Sequence, residues 1–151
     1  MNRKIILLKK KINLVLFVTD GNLSEGILKK ILKFKKKINI LLVVSNIQFK
    51  KKLNKNNIKN FKWIKNLKNN QTKILKILNN FDKKDLHGFT FQYKWKIKKK
   101  IIDKFKLILN FHFGDIPKYR GHNPIIHAML NKEKFIFGTV HNIDENFDRG
   151  K

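Results

Sequence analysis

Asn110 and His112 stand two residues apart at the end of the apolar run Leu107-Ile108-Leu109, just before a loop built from Gly114, Pro117 and Gly121. On an extended backbone an i, i+2 pair projects to the same side. A carboxamide and an imidazole leaving a buried strand together suggest a site rather than a core. In open α/β sheets ligands bind outside the carboxyl ends of the strands, where this pair would sit. Further along come His141, at the end of a second apolar run, and the acidic loop Asp144-Glu145-Asn146-Phe147-Asp148-Arg149-Gly150. A carboxamide donor, an imidazole and a carboxylate suit acyl transfer to an amine. The first two can stabilise the oxyanion of a tetrahedral intermediate. The carboxylate can orient the imidazole or a relaying water and help remove the amine's proton.

The elements that must position these groups read as an alternation of strands and helices. Ile12–Val18 is a β-branched and aromatic run, followed by turn residues Thr19-Asp20-Gly21-Asn22. Leu23, Ile27, Leu28, Ile31, Leu32 and Phe34 recur near helical spacing, and residues 38–44 form a second apolar strand. Strand, helix and strand at this length make a βαβ unit, hence a parallel sheet with a right-handed crossover. Gly21 and Ser24 stand where a phosphate could be cradled, but no G-x-G-x-x-G or G-K-[ST] accompanies them, and an ordinary turn is the better reading. Residues 46–70 are Lys/Asn-rich and poorly periodic, with a short strand or anchor at Phe61, Trp63 and Ile64. The pattern then predicts a helix at 72–81, strands at 86–91 and 107–111 with a short helix at 97–105 between them, a helix at 125–130 and a last strand at 135–141. Pro124 near the first turn of the 125–130 helix fits its fixed φ. The expected fold is therefore α/β: a Rossmann-like, open, mostly parallel sheet with helices on both faces.

At 151 residues the chain is one domain, read as an N-terminal βαβ half (about 12–92) and a catalytic half (about 93–151). The absence of cysteine excludes disulfides, thiolate ligands and thiol nucleophiles, and a reducing, cytoplasmic location is expected. Ile12–Val18 is far short of the roughly 20 residues of a membrane span. The net charge of +26 is almost all lysine; Arg3, Arg120 and Arg149 are the only arginines. Lys, Asn, Ile and Phe abound while Ala, Gly, Pro and Arg are scarce, which is the signature of A/T-rich codons. A solvated surface of drifted composition accounts for most of the charge, rather than a dedicated phosphate face. Ala128, both prolines and four of the seven glycines fall between Asn110 and Gly150, marking the segment where backbone geometry is specified.

The ordered motifs resemble those of the formyltransferases that use 10-formyltetrahydrofolate. Asn110-Phe111-His112 with Pro117-Lys118-Tyr119-Arg120-Gly121 matches that family's Asn-x-His and Pro-x-aromatic-x-Gly signature. Asn123-Pro124-Ile125-Ile126-His127-Ala128, Gly138-Thr139-Val140-His141 and Asp144 to Gly150 continue it, about a third of the chain in all. The resemblance implies a catalytic trio of Asn110, His112 and Asp148, with Asn110 and His112 holding the formyl oxygen. It implies a folate laid against Gln92, Tyr93, Trp95, Ile97, His141 and Asp144, and an acceptor near Tyr119, Arg120 and Gly121. No metal is implied; 10-formyltetrahydrofolate is the co-substrate. His122 and His127, five apart, are poor partners for one metal. Arg120 can bind an acceptor phosphate or pair with an acid.

The family's acceptors include nucleotide-linked amino sugars, methionyl-tRNA and glycinamide ribonucleotide. Val140-His141 and the Phe-His-Phe-Gly context resemble the sugar branch. The expected partner is a small-molecule amine, preferably phosphorylated, with tRNA as the alternative and no membrane. A different class of reading is a basic remnant that binds nucleic acid through its lysines. Two departures matter. Gly114-Asp115-Ile116-Pro117 replaces the family's Ser-Leu-Leu-Pro-like run, removing a hydroxyl. The family's catalytic domains also usually continue beyond the Asp148 loop, so a domain truncated at its C-terminus is expected.

Overall fold

Six strands form one sheet in the order β3-β2-β1-β4-β5-β6. The computed structural model describes residues 11–19, 22–34, 36–55, 61–65 and 70–145. The strands are β1 Ile12–Val18, β2 Ile38–Ser45, β3 Lys62–Lys65, β4 Leu86–Phe91, β5 Leu107–His112 and β6 Thr139–Asn142. Five are mutually parallel, and β6 runs antiparallel along β5. The chain winds outward from β1 to β3, returns to the centre, and then adds β4 and β5 on the other side of β1. That reversal is the doubly wound, Rossmann-like topology anticipated from the βαβ pattern.

The central strands are buried on both faces, which is why they read as continuous apolar runs rather than alternations. One face packs Leu14, Leu16, Val18 and Val43 against Leu28 of α1 (Asn22–Leu32) and against Phe49 and Leu53 of α2 (Ile47–Lys55). The other packs Val15, Phe17, Leu42, Val44 and Ile108 against Ile74 and Leu78 of α3 (Gln71–Leu78) and Ile101 of α4 (Lys99–Ile102). Helices thus cover both faces, as expected. A fifth helix, α5 (Pro124–Leu130), follows β5 with Pro124 in its first turn.

Three expectations need correction. Residues 46–70 contain a helix, α2, that the lysine- and asparagine-rich sequence concealed. Two apolar residues four apart, Phe49 and Leu53, are enough to anchor it in the core, and Asn46 Oδ1 accepts the Phe49 N–H at 2.9 Å as an N-terminal cap. The last strand is shorter than 135–141: pairing with β5 begins only at Thr139, and Phe135, Ile136 and Phe137 stand exposed before it. The helix expected at 97–105 is a single turn, because Ile97 and Phe105 enter the core from either side of it. The Gly21 turn lies outside the described residues.

Candidate active site

Thr90, Asn110 and His141 lie side by side on three adjacent strands. Thr90 pairs in register with Asn110 across β4 and β5, and Asn110 with His141 across β5 and β6. Strand periodicity places Leu86 and Thr90 of β4, and Ile108, Asn110 and His112 of β5, toward the α3/α4 face. The apolar members of these sets enter the core, and the polar ones come at the carboxyl ends where helix cover stops. The site grows out of the end of the core.

The row is hydrogen-bonded in one direction. His141 is buried, and its Nδ1 lies 2.8 Å from the Asn142 carbonyl. A carbonyl only accepts, so Nδ1 carries the proton and, in the neutral ring, Nε2 carries the lone pair. Nε2 accordingly accepts from Asn110 Nδ2 at 3.1 Å. That choice turns Asn110 Oδ1 toward Thr90, whose hydroxyl donates to it at 2.5 Å. The carboxamide is held as a donor toward β6 and an acceptor toward β4. Thr90 is buried to 2% exposure, and sequence reasoning missed it. The signal available was a hydroxyl in the otherwise apolar end of β4, opposite the asparagine.

His112 is oriented independently. Its Nε2 donates to the Tyr119 carbonyl at 2.6 Å, which ties the imidazole to the Pro117–Gly121 loop. Gly114 allows that approach: a Cβ there would lie 2.7 Å from the Tyr119 oxygen and 2.9 Å from His112 Nε2. The backbone around Gly114 is tied to β6. Thr139 Oγ1 donates to the Gly114 carbonyl at 2.7 Å and accepts the Ile116 N–H at 3.4 Å. Below the strand end, Phe91, Phe111 and Phe113 meet with ring centroids 5.0–5.5 Å apart, and Gly138 makes room for the Phe111 ring.

Asn110, His112 and His141 open on one cleft of about 670 Å³. The segment from Gln92 to Ile97 forms part of its wall, and Gly121, Pro124, Asp144 and Thr90 also line it. Gln92 has φ 51°, Tyr93 packs edge-on against Phe17 at 5.4 Å, and Ile97 is buried in the core. Burial pushes the Tyr93 phenol up to about 12. Trp95 remains 41% exposed on the wall, flanked by Lys94 and Lys96. Every residue expected against the folate therefore lines this cleft: Gln92, Tyr93, Trp95, Ile97, His141 and Asp144.

The expected acceptor residues divide. Gly121 lines the cleft, whereas Tyr119 and Arg120 are absent from its walls. The Tyr119 side chain turns the other way, donating to Glu133 Oε1 at 2.6 Å and accepting from Asn131 Nδ2 at 3.0 Å. Lys118 pairs with the same carboxylate, and these two partners hold Glu133 below the usual range. Tyr119 thus serves the site through its backbone. Arg120 is exposed. Asp148 lies outside the described residues. Among the described residues no cluster of three or more His, Cys, Asp or Glu could hold a metal ion, and no helix is long and apolar enough to cross a membrane.

The fold and cleft define a doubly wound α/β domain with a polar row at its strand ends. Comparison with known proteins narrows this. No family model matches the chain. Over 59 residues, 38% of its length, the chain is 41% identical to the methionyl-tRNA formyltransferase of Finegoldia magna, a match that spans 19% of that protein. A 4-N formyltransferase from Francisella tularensis superposes with TM-score 0.65 at 23% identity, over 91% of this chain and 52% of that one. A formyltetrahydrofolate deformylase from Pseudomonas syringae gives 0.74 at 18% identity, over 93% and 49%. Glycinamide ribonucleotide transformylase 1 from Geobacillus kaustophilus gives 0.73 at 18%, over 93% and 79%. The chain spans about half the length of the first two structures. At these identities the superpositions speak for the fold. The 59-residue match agrees with the formyltransferase resemblance noted in the sequence, and the superpositions agree with the fold that resemblance implies.

Proposed function

We propose that this chain is a formyl-transfer domain that moves the formyl group of 10-formyltetrahydrofolate to a primary amine in the cytoplasm. The observation that carries the reading is the fixed orientation of Asn110 beside His112 at the mouth of the cleft. With Oδ1 held by Thr90 and one Nδ2 proton given to His141, the carboxamide is fixed as a donor rather than an acceptor at the strand end, the polarity needed to stabilise a developing oxyanion. The Tyr119 carbonyl keeps His112 Nε2 a donor in either charge state. The neutral ring can therefore take a proton from the attacking amine at Nδ1, and the imidazolium can donate from Nδ1 to the oxyanion. Amine attack breaks the C=O π bond, the tetrahedral intermediate collapses, and N10 of the folate leaves with a proton. Asp148 is assigned by the family motif to position His112 or the water that carries this proton. The wall from Gln92 to Ile97, with His141 and Asp144, is the proposed folate side.

For the acceptor, a phosphorylated, nucleotide-linked amino sugar is the preferred reading. It is supported by the Val140-His141 context and by Lys94 and Lys96 as the cleft's cationic rim with Asp144 as its acid. Methionyl-tRNA is the second reading, favoured by the 41% identity to the Finegoldia magna enzyme over its matched stretch. Gly121, which lines the cleft, and its neighbouring loop are the proposed acceptor side. The test is an assay with 10-formyltetrahydrofolate and, separately, a nucleotide-linked 4-amino sugar, glycinamide ribonucleotide and methionyl-tRNA. Tetrahydrofolate release is followed by absorbance, and formylated amine by mass. Formylated sugar alone supports the preferred reading. Formylated methionyl-tRNA replaces it with the second. No product with any amine, together with salt-steep, sequence-indifferent nucleic-acid binding, would instead identify a basic remnant.

A further inference from the structure

The proposed folate wall is a six-residue irregular segment between β4 and α4, and nothing in its own sequence makes it rigid. Its first end is tied by the Thr19 hydroxyl, which donates to the Gln92 carbonyl from the end of β1. Its far end is tied by one side chain from another element. Gln71, the first residue of α3, places its carboxamide alongside the backbone on either side of Ile97. Nε2 donates to the Lys96 carbonyl at 3.1 Å, and Oε1 accepts the Lys98 N–H at 3.2 Å. The side-chain amide thus offers the donor and acceptor that a neighbouring strand would present. It satisfies two backbone groups in a segment with no ladder of its own. Ile97, between them, is 7% exposed and fixed in the core, so the clamp also sets where Trp95 and the two lysines leave the core surface.

We propose that Gln71 is a positioning residue for the ligand wall, holding the Trp95 segment in its binding geometry from outside the cleft. This rests on the reading of the cleft as a folate site. Gln71 is not among the residues lining the cleft, so it acts on a ligand only through the segment it clamps. Loss of the clamp adds the ordering of this segment to the free energy of binding. The two ends are also unequal in chemistry: a carboxylate at position 71 keeps the acceptor for Lys98 N–H but offers no donor to the Lys96 carbonyl.

The experiment uses the full chain carrying Trp63→Phe, which leaves Trp95 as its single tryptophan reporter. Gln71→Met, an apolar near-isostere, and Gln71→Glu are compared with Gln71 by iodide quenching of Trp95, by thermal midpoint, and by titration with a non-hydrolysable 10-formyltetrahydrofolate analogue. The expected result is quenching that rises in the Met variant and lies between the two in the Glu variant, with folded protein in every case. Analogue binding is expected to weaken about tenfold in the Met variant. Unchanged quenching and affinity in the Met variant would overturn the clamp. Increased quenching with no analogue binding by the Gln71 chain would keep the clamp and overturn the folate reading instead. Weaker binding that simply tracks a lost thermal midpoint, with Trp95 quenching unchanged, would mark Gln71 as merely structural and overturn the proposal.

Discussion

Replacing Thr90 with valine keeps the shape of a β-branched side chain and removes one hydroxyl. That hydroxyl donates to Asn110 Oδ1 at 2.5 Å from a residue only 2% exposed. Loss of a buried donor of this kind costs about 1–3 kcal/mol. For a domain of this length the thermal midpoint falls by about 2–4 °C per kcal/mol, giving an expected drop of about 2–12 °C. The second consequence is local. With Thr90 no longer selecting Oδ1, the carboxamide is held less firmly, and exchange of the Asn110 Nδ2 protons should quicken. Thr90→Ser separates polarity from packing: it retains the hydroxyl and loses one methyl, about 0.8 kcal/mol. Differential scanning calorimetry and the Asn110 side-chain amide signals in nitrogen-15 NMR read both effects. A Thr90→Val protein as stable as the wild type, with an unchanged Asn110 amide signal, would refute the directional row from which the site's polarity was derived.

Tyr93 carries a pH dependence of known sign. Its phenol ionises at about 12 when folded, against about 10 for an exposed tyrosine. The folded chain therefore binds more protons between these values, and its stability falls as pH rises from about 10 through about 12. Tyr93→Phe should remove that component, visible as a shallower alkaline limb in the difference between the two unfolding curves. Gly138→Ala would place a Cβ 2.6 Å from Phe111 Cζ, within a packed trio of phenyl rings. The expected cost is about 1–3 kcal/mol. A compensating Phe111→Leu should recover most of it in chemical denaturation, and a double variant no more stable than Gly138→Ala would count against this packing.

What could be read from the sequence follows the physics of each element. Strands buried on both faces leave uninterrupted apolar runs, so β1, β2, β4 and β5 and their parallel order were legible. The i, i+2 spacing of Asn110 and His112 placed both on one face at a strand end, where they stand. Helix α2 was hidden because only Phe49 and Leu53 face the core, leaving seven of nine positions to a lysine-rich surface. The shortened β6 could not be foreseen, because Phe135 and Phe137 have strand chemistry yet find no partner strand among the described residues. Thr90 and Gln71 escaped notice for a different reason. Their roles are set by cross-element register and by bonds to distant backbone, which leave no periodic trace. The motif gave no sign that the Tyr119 carbonyl holds His112 while its phenol turns to Glu133 and Asn131, because both bonds depend on the loop's fold.

The central claim is that the Asn110 and His112 cleft binds a formylated folate. Calorimetric titration with a stable 10-formyltetrahydrofolate analogue, on the wild type and on Asn110→Ala/His112→Ala, tests it directly. The account predicts saturable one-site binding by the wild type and marked weakening in a double variant that remains folded. A folded wild type that shows no binding, or a double variant that binds as tightly, would contradict it.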